Sequence, residues 1–208
     1  MDNNGFNAPA NERIRKRNTD KRNFKGLLLY LHDFVFLIAG VLLTFSLLFR
    51  VVVVSGPSMN KTLVDGDWLM LVGNVLYRNP SHGDIVVISK STYDDGTPII
   101  KRVIALEGQT VDIDFDEGIV YVDGQALVEP YTFEPTWLQE GVQFPLTVNE
   151  GCVFVMGDNR NDSKDSRSPE IGQVDCREVL GKAVFLFYPG NNKGNVEREY
   201  NRIGVLGR

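Results

Sequence analysis

The stretch LLLYLHDFVFLIAGVLLTFSLLFRVVVVSGPSM, Leu27 to Met59, organises the rest of the chain around it. Its first 23 residues, through Phe49, carry Asp33 as their only formal charge. Coiled as a helix they would measure about 35 Å, against a hydrocarbon core of about 30 Å. Their Leu, Ile, Val and Phe side chains favour insertion by about 5 to 10 kcal/mol, and one off-centre aspartate opposes it by at most about 3.5 kcal/mol. The run is longer than the apolar core of a cleaved signal peptide, and no small-x-small cleavage pattern follows it. It reads as a single retained transmembrane span. Beyond Arg50 a valine run breaks at Ser55-Gly56-Pro57, a turn that presents Ser58.

Charge is unevenly divided about this span. Residues 1–50 hold eight Lys/Arg against four acids, leaving 14 against 23 for the remainder of the 208-residue chain. A basic segment before the span and an acidic domain after it argue against a nucleic-acid partner and for an orientation signal. The positives clustered between Arg13 and Lys25 predict a cytoplasmic N-terminus, with Val51 onward on the extracytoplasmic side of the plasma membrane. The domain reading is therefore a disordered basic tail over 1–25, an anchor over 26–50 and an external domain over 51–208.

The external part alternates short apolar runs with Gly, Asp and Asn. Strands are expected at 67–72, 84–89, 99–106, 110–115, 119–122, 153–156 and 182–188. Asp123-Gly124 predicts a tight hairpin between IVYV and QALV, and Asp95-Gly96 another turn. No 3.6-residue period persists after the span, so the expected fold class is mainly β, a single transmembrane helix followed by a compact external β domain. Cys152 and Cys176 lie in the part placed outside, where disulfides are permitted, and spacing alone leaves their pairing open. Two cysteines, and two histidines of which His32 lies in the span, provide no paired metal-ligand spacing, so neither a metal nor a cofactor is expected.

A serine nucleophile needs a base. The external histidine, His82, sits in the turn-rich string Asn79 to Asp84 and reads as a solvent-facing loop residue. Lys61, Lys90, Lys164 and Lys193 have polar neighbours that keep them charged, and Lys182 opens a strand where an exposed end is expected. Lys101 differs, because it interrupts the β-branched run Pro98-Ile-Ile-Lys-Arg-Val-Ile-Ala-Leu106. Burial there would lower its pKa toward neutrality, whereas Arg102 cannot act as a base. On pattern alone a structural lysine with its stem buried is an equal reading. The third segment, Met156 to Arg167, is dense in polar side chains, and by composition it is an Asx-rich loop.

Taken together these segments resemble the type I signal peptidase family in its short Gram-positive-like form, over most of the chain. The resemblance lies in order and spacing: the span, Gly-Pro-Ser58-Met59, Lys101-Arg-Val-Ile, then Gly157-Asp-Asn-Arg with Ser163-Lys-Asp-Ser-Arg167. It implies a β domain of the kind shared with the self-cleaving SOS-response repressors, and a serine endopeptidase that cuts signal peptides from exported preproteins after small residues. It further implies Ser58 as nucleophile and a contributor to the oxyanion site through its backbone N–H, Lys101 as general base and Ser163 as the serine that orients the lysine by a hydrogen bond. Gly157, Asp158, Asn159, Asp165 and Arg167 become structural motif residues, and Val52, Val54, Met59, Ile99 and Ile100 line the substrate pockets. Partners are preproteins and the lipid bilayer. Lys61 stands where the family usually has proline, which predicts a looser turn after Ser58; Ala105-Leu-Glu-Gly108 replaces the family's Gly-Leu-Pro-Gly; Gly56 stands where some members place a hydroxyl. SOS-response repressors would need a DNA-binding domain where the span lies, and a partner-binding β domain with an inert Ser58 is the non-enzymatic alternative.

Overall fold

The computed structural model describes residues 10–191 and 198–207, and divides the chain into a unit ending at Ser46 and a second unit beginning at Leu47. The first unit is helical. Helix α1 covers Ala10–Leu48, and its segment Lys25–Leu48 is long and apolar enough to cross a membrane. The helix starts well upstream of the expected anchor, so residues 10–25, read from the sequence as disordered tail, are helical; residues 1–9 of that tail lie outside the described residues. Helix propagation accounts for the difference. Once the apolar segment has nucleated a helix, each further residue adds a hydrogen bond at little extra entropic cost, and Glu, Arg and Lys are good helix formers.

The second unit is built from two antiparallel sheets. The larger joins β1 (Phe49–Val53), β2 (Trp68–Gly73), β11 (Val179–Tyr188), β3 (Ile85–Ile88), β4 (Ile99–Leu106), β9 (Cys152–Met156) and β10 (Val174–Asp175) in that order, with β12 (Gly204–Val205) also on β11. The smaller runs β7 (Gln125–Ala126), β6 (Ile119–Val122), β5 (Thr110–Asp114) and β8 (Leu146–Thr147). The β6–β7 turn is the predicted Asp123-Gly124 hairpin, with φ of 53° and 74° as a type I′ turn requires.

Period-two alternation explains how the core is shared. Leu69 and Leu71 of β2 pack inward with Ile85, Val87, Ala183 and Leu186, while Trp68 faces out. β3 is buried on both faces, and its other side, Val86 and Ile88, packs with Val103, Val155 and Val179. A third cluster joins the sheets through Ile104, Val111, Val120, Phe154 and Met156. A bulge lies between Val103, which belongs to the second cluster, and Ala105, which belongs with Ile104 to the third. Strand β4 is thus enclosed, between β3 and β9, and two of its side chains are Lys101 and Arg102.

Candidate active site

Ser58 stands on the turn between β1 and β2. The chain leaves β1 through Gly56 at φ +87°, a conformation that excludes most side chains, and the Gly56 N–H donates to Asp65 Oδ1 at 2.9 Å. After Pro57 the backbone runs through successive turns, closed by Asn60 N–H on Pro57 O and Leu63 N–H on Met59 O. Met59 and Leu63 both reach the core, where they are 1% and 0% exposed. The buried pair pins the turn and leaves Ser58 half-buried at its rim. Lys61 occupies this turn at φ 51° and its Nζ donates to Pro130 O at 3.0 Å. A proline, locked near −65°, could not adopt that backbone, so the turn expected to be loose is held by other means.

Lys101 enters from β4, paired opposite Val86, and is only 3% exposed. Its Nζ donates to Ser58 Oγ at 2.9 Å. Burial, the largest cause, brings the lysine down from 10.5 to about 8, against the opposing charges of Asp165 and Glu140. A substantial neutral fraction therefore exists near physiological pH. In that form the same contact reverses, with the hydroxyl donating to the Nζ lone pair, which is the first step of general-base activation.

The loop after β9 holds both partners in place. Asn159 N–H donates to Ser58 O at 3.0 Å and Asn159 Nδ2 donates to Pro57 O at 3.2 Å, clamping the backbone around the serine. Gly157 permits this approach, since a Cβ there would overlap Ser58 O and the Ser163 side chain. Asp158 accepts from Arg102 Nε at 2.8 Å and Nη2 at 2.6 Å, and from Thr62 Oγ1 at 2.5 Å, so it ties β4 to the Ser58 turn. Asp165, fully buried, accepts from Arg167 Nε at 2.9 Å and Nη2 at 2.8 Å, from Gly157 N–H at 3.0 Å and from Ser163 Oγ at 3.0 Å. Burial pushes the Asp165 carboxyl up, but the Arg167 charge and these hydrogen bonds outweigh it and hold it below the usual carboxylate range.

Ser163 therefore differs from its expected arrangement. Its hydroxyl donates to Asp165 Oδ2 at 3.0 Å, whereas Lys101 Nζ has its hydrogen bond with Ser58 Oγ. The serine meets the lysine's surroundings through Asp165 and Gly157 instead. The backbone N–H of Ser58 donates to no protein acceptor among the described residues, which leaves it available to a developing oxyanion. Of the expected pocket residues, Val52, Val54, Met59 and Ile100 pack into one apolar cluster, with Val54 and Met59 fully in the core. Ile99 belongs to a different cluster with Ile88 and Val103, because neighbouring residues of a strand face opposite ways.

Other titratable side chains fall where their surroundings direct them. His82 is exposed, as its turn-rich string predicts. Lys182 is not the exposed strand end expected of it: it is half-buried and donates to Asp84 Oδ1 at 2.6 Å. Cys152 and Cys176 are free thiols, both on the wall of a cavity of about 390 Å³ that includes Arg78 and Glu107.

One element went unnoticed in the sequence. Residues 129–142, between β7 and β8, cross the motif loop without regular structure of their own. Glu129 takes a bidentate pair from Arg160 at 2.8 and 2.5 Å, Trp137 and Leu138 donate their N–H groups to Asn161 Oδ1, and Leu138 O accepts from Arg167 Nη1 at 3.0 Å. The one available signal was the demand of the buried Arg160 and Arg167 for acceptors, which does not say where in the chain they lie.

A family model described as signal peptidase, peptidase S26, matches residues 27–188. The chain belongs to this family. Among relatives, a probable signal peptidase I-1 of Synechocystis is 42% identical over 154 residues, covering 69% of this chain and 73% of that one. Signal peptidase I of Bacillus licheniformis is 35% identical over 184 residues, covering 85% and 95%. Signal peptidase I T of Bacillus subtilis is 34% identical over 188 residues, again covering 85% and 95%. The matched family region contains Ser58, Lys101 and the whole motif loop of this signal peptidase family member. It is a serine peptidase, mainly β in its second unit and anchored to a membrane through α1.

Proposed function

We propose that this chain removes N-terminal signal peptides from exported preproteins, with Ser58 as nucleophile and Lys101 as general base. The observation that carries the residue assignment is the 2.9 Å contact between Lys101 Nζ and Ser58 Oγ at a buried lysine brought down to about 8. Neutral Nζ takes the Oγ proton as Oγ bonds to the scissile carbonyl carbon. The resulting oxyanion rests on the Ser58 N–H. The ammonium then returns its proton to the leaving amine, and an acyl-enzyme remains. Water, deprotonated in turn by Nζ, hydrolyses it.

Strand β1 ends the larger sheet, paired only with β2 among the described residues, so a substrate segment can add to its outer edge as an extended strand. Small side chains ahead of the cut then meet Val52 and Ile100, partly exposed members of the apolar cluster that Val54 and Met59 back from within the core. Substrates arrive in the bilayer that holds the anchor, and the positives before the span support a cytoplasmic N-terminus with the catalytic unit on the extracytoplasmic side. The test is incubation of the detergent-solubilised protein with a labelled preprotein. Cleavage at one site after a small residue is the expected result; an uncut preprotein in active-lipid conditions overturns the reading.

The pH dependence has a definite sign. The catalytic form of Lys101 is the neutral one, so kcat/KM should climb with pH through an apparent pKa near 8 and level off above it. Below that limb the rate should fall about tenfold per pH unit. A profile flat from pH 6 to 9 would remove the lysine from the role of base.

A further inference from the structure

The turn that carries Ser58 is gripped from two sides, and one grip comes from the far end of the chain. On one side Thr62 Oγ1 donates to Asp158, which Arg102 pairs from β4. On the other, Thr62 O accepts from Arg202 Nη2 at 3.2 Å. The same guanidinium lies across the Asp67 carboxylate, with Nη1 on Oδ1 at 3.0 Å and Nη2 on Oδ2 at 2.6 Å. Asp67 is 0% exposed; its Oδ2 also accepts from Val64 N–H at 2.8 Å and its Oδ1 from Gly190 N–H at 2.6 Å. Val64 follows Leu63, whose N–H closes back on Met59 O at 2.8 Å, so a short run of bonds leads from the carboxylate to the residue beside Ser58. Arg202 reaches this place because residues 199–207 are docked on the second unit. Gly204 and Val205 pair with Leu186 and Phe185 of β11, Leu206 N–H donates to Val184 O at 2.9 Å, and the Leu206 side chain packs against the cluster that holds Met59 and Leu63. A Cβ on Gly190 would overlap Asp65 O and Asp67 N, so the chain after β11 runs in close contact with the same loop. The Arg202 side chain is only 17% exposed, and a charge-assisted bidentate pair shielded in this way fixes geometry as well as charge.

We propose that Arg202 is a positioning residue of the reaction: through Asp67 and Thr62 O it fixes the turn after Pro57, and so holds Ser58 Oγ within reach of Lys101 Nζ. This rests on Ser58 being the nucleophile and Lys101 the base. The 2.9 Å contact between them joins two elements of unequal rigidity. Strand β4 is fixed between β3 and β9, whereas the turn is irregular backbone that depends on the bonds it makes with distant segments. Without the guanidinium, Asp67 keeps its backbone N–H donors but loses its countercharge, and Thr62 O loses its donor. The turn then gains freedom, and Ser58 spends less time where its proton can pass. Misplacing a reacting group by about 1 Å can cost about 100-fold in rate, and the cost falls on kcat because the substrate-binding edge of β1 is not what moves.

The experiment measures kcat and KM of the full-length protein in detergent on a labelled preprotein, at a temperature well below each variant's melting midpoint. It compares wild type with Arg202→Met, Arg202→Lys, Arg198→Ala and Ser58→Ala. Arg202→Met fills much of the same space without the charge and is expected to lower kcat about tenfold, with KM within about twofold of wild type. Arg202→Lys restores the charge on a single donor group and should bring kcat back to within about threefold of wild type. Arg198→Ala removes an arginine of the same segment, whose bond to Pro189 O and stacking on Tyr188 lie outside the Ser58 turn, and should leave kcat as it is. A merely structural Arg202 would lower the melting midpoint and leave kcat of the folded protein at the wild-type value. That result overturns the proposal, as does a rise in KM alone or an equal loss in Arg198→Ala. Should Arg202→Met not fold, Arg202→Gln, which keeps a hydrogen-bond donor, is read in the same way. If Ser58→Ala still cleaves, the nucleophile assignment itself has failed; if Ser58→Ala is inactive and the neutral Arg202 variant is as fast as wild type, only the role of Arg202 has.

Discussion

Ser58→Ala and Lys101→Ala should each abolish preprotein processing, with losses on the order of 10⁴-fold or more, because nucleophile and base act as one unit. Neither loss should add to the other in the double variant. Near-normal cleavage by either single variant would end the assignment. The companion measurement is stability, because an unfolded variant is also inactive. Lysine at 101 is expensive to fold around: its protonated form must be desolvated, which is why its pKa falls from 10.5 to about 8. A depressed lysine pKa opposes folding in full below the folded value, and the penalty disappears only as pH passes the unfolded value. At pH 7 this amounts to about 3 kcal/mol. Lys101→Met, which fills the same space without the charge, is therefore expected to be inactive and yet to melt higher than wild type at pH 7. A lower melting temperature would show that the lysine is held by favourable contacts that outweigh its desolvation.

Arg167→Ala is expected to have the largest effect on stability. It strips a fully buried carboxylate, Asp165, of its bidentate partner and leaves Leu138 O and Arg160 O without the guanidinium donors that now reach them. Removing one member of a buried pair costs roughly 3–5 kcal/mol, since the remaining charge has neither partner nor water. For a domain of this size that corresponds to a melting temperature lower by about 10 °C. Activity should fall as well, because Asp165 organises Gly157 and Ser163 beside the serine. A variant with unchanged melting and unchanged turnover would mean that water reaches Asp165 and replaces the guanidinium. Replacing both residues, Asp165→Leu with Arg167→Met, should recover part of the lost stability without recovering turnover, since no uncompensated charge then remains buried.

The membrane span, the mainly β character of the second unit and β4 were all legible in the sequence, for separable reasons. A 23-residue apolar run is a signal of composition that needs no tertiary partner. Strand β4, Ile99–Leu106, matches its expected bounds because β-branched residues in a row disfavour helix and suit a pleated, enclosed strand. The Asp123-Gly124 hairpin follows from local backbone chemistry. The short strands β8, β10 and β12, each of two residues, carry too few side chains to leave a period and exist only because longer neighbours offer them hydrogen-bonding edges.

The candidate site divides along the same line. Local pattern, with the family resemblance beside it, was enough to single out Ser58, Lys101 and the Gly157 to Arg167 loop. What lay outside its reach were the distances and the choice of partners. The left-handed Lys61, the ion pair of Lys182 with Asp84 and the contact of Glu140 with Asp165 each join residues far apart in the chain or depend on a backbone angle that a packed surround imposes. The sequence by itself determined which segments are oily, where the longer strands β2 to β6, β9 and most of β11 run and which residues are chemically able to act. The tertiary structure alone decided which of them meet, because a buried lysine's basicity and a buried carboxylate's partner are set by desolvation and by charges a few ångströms away, and chain order does not encode those separations.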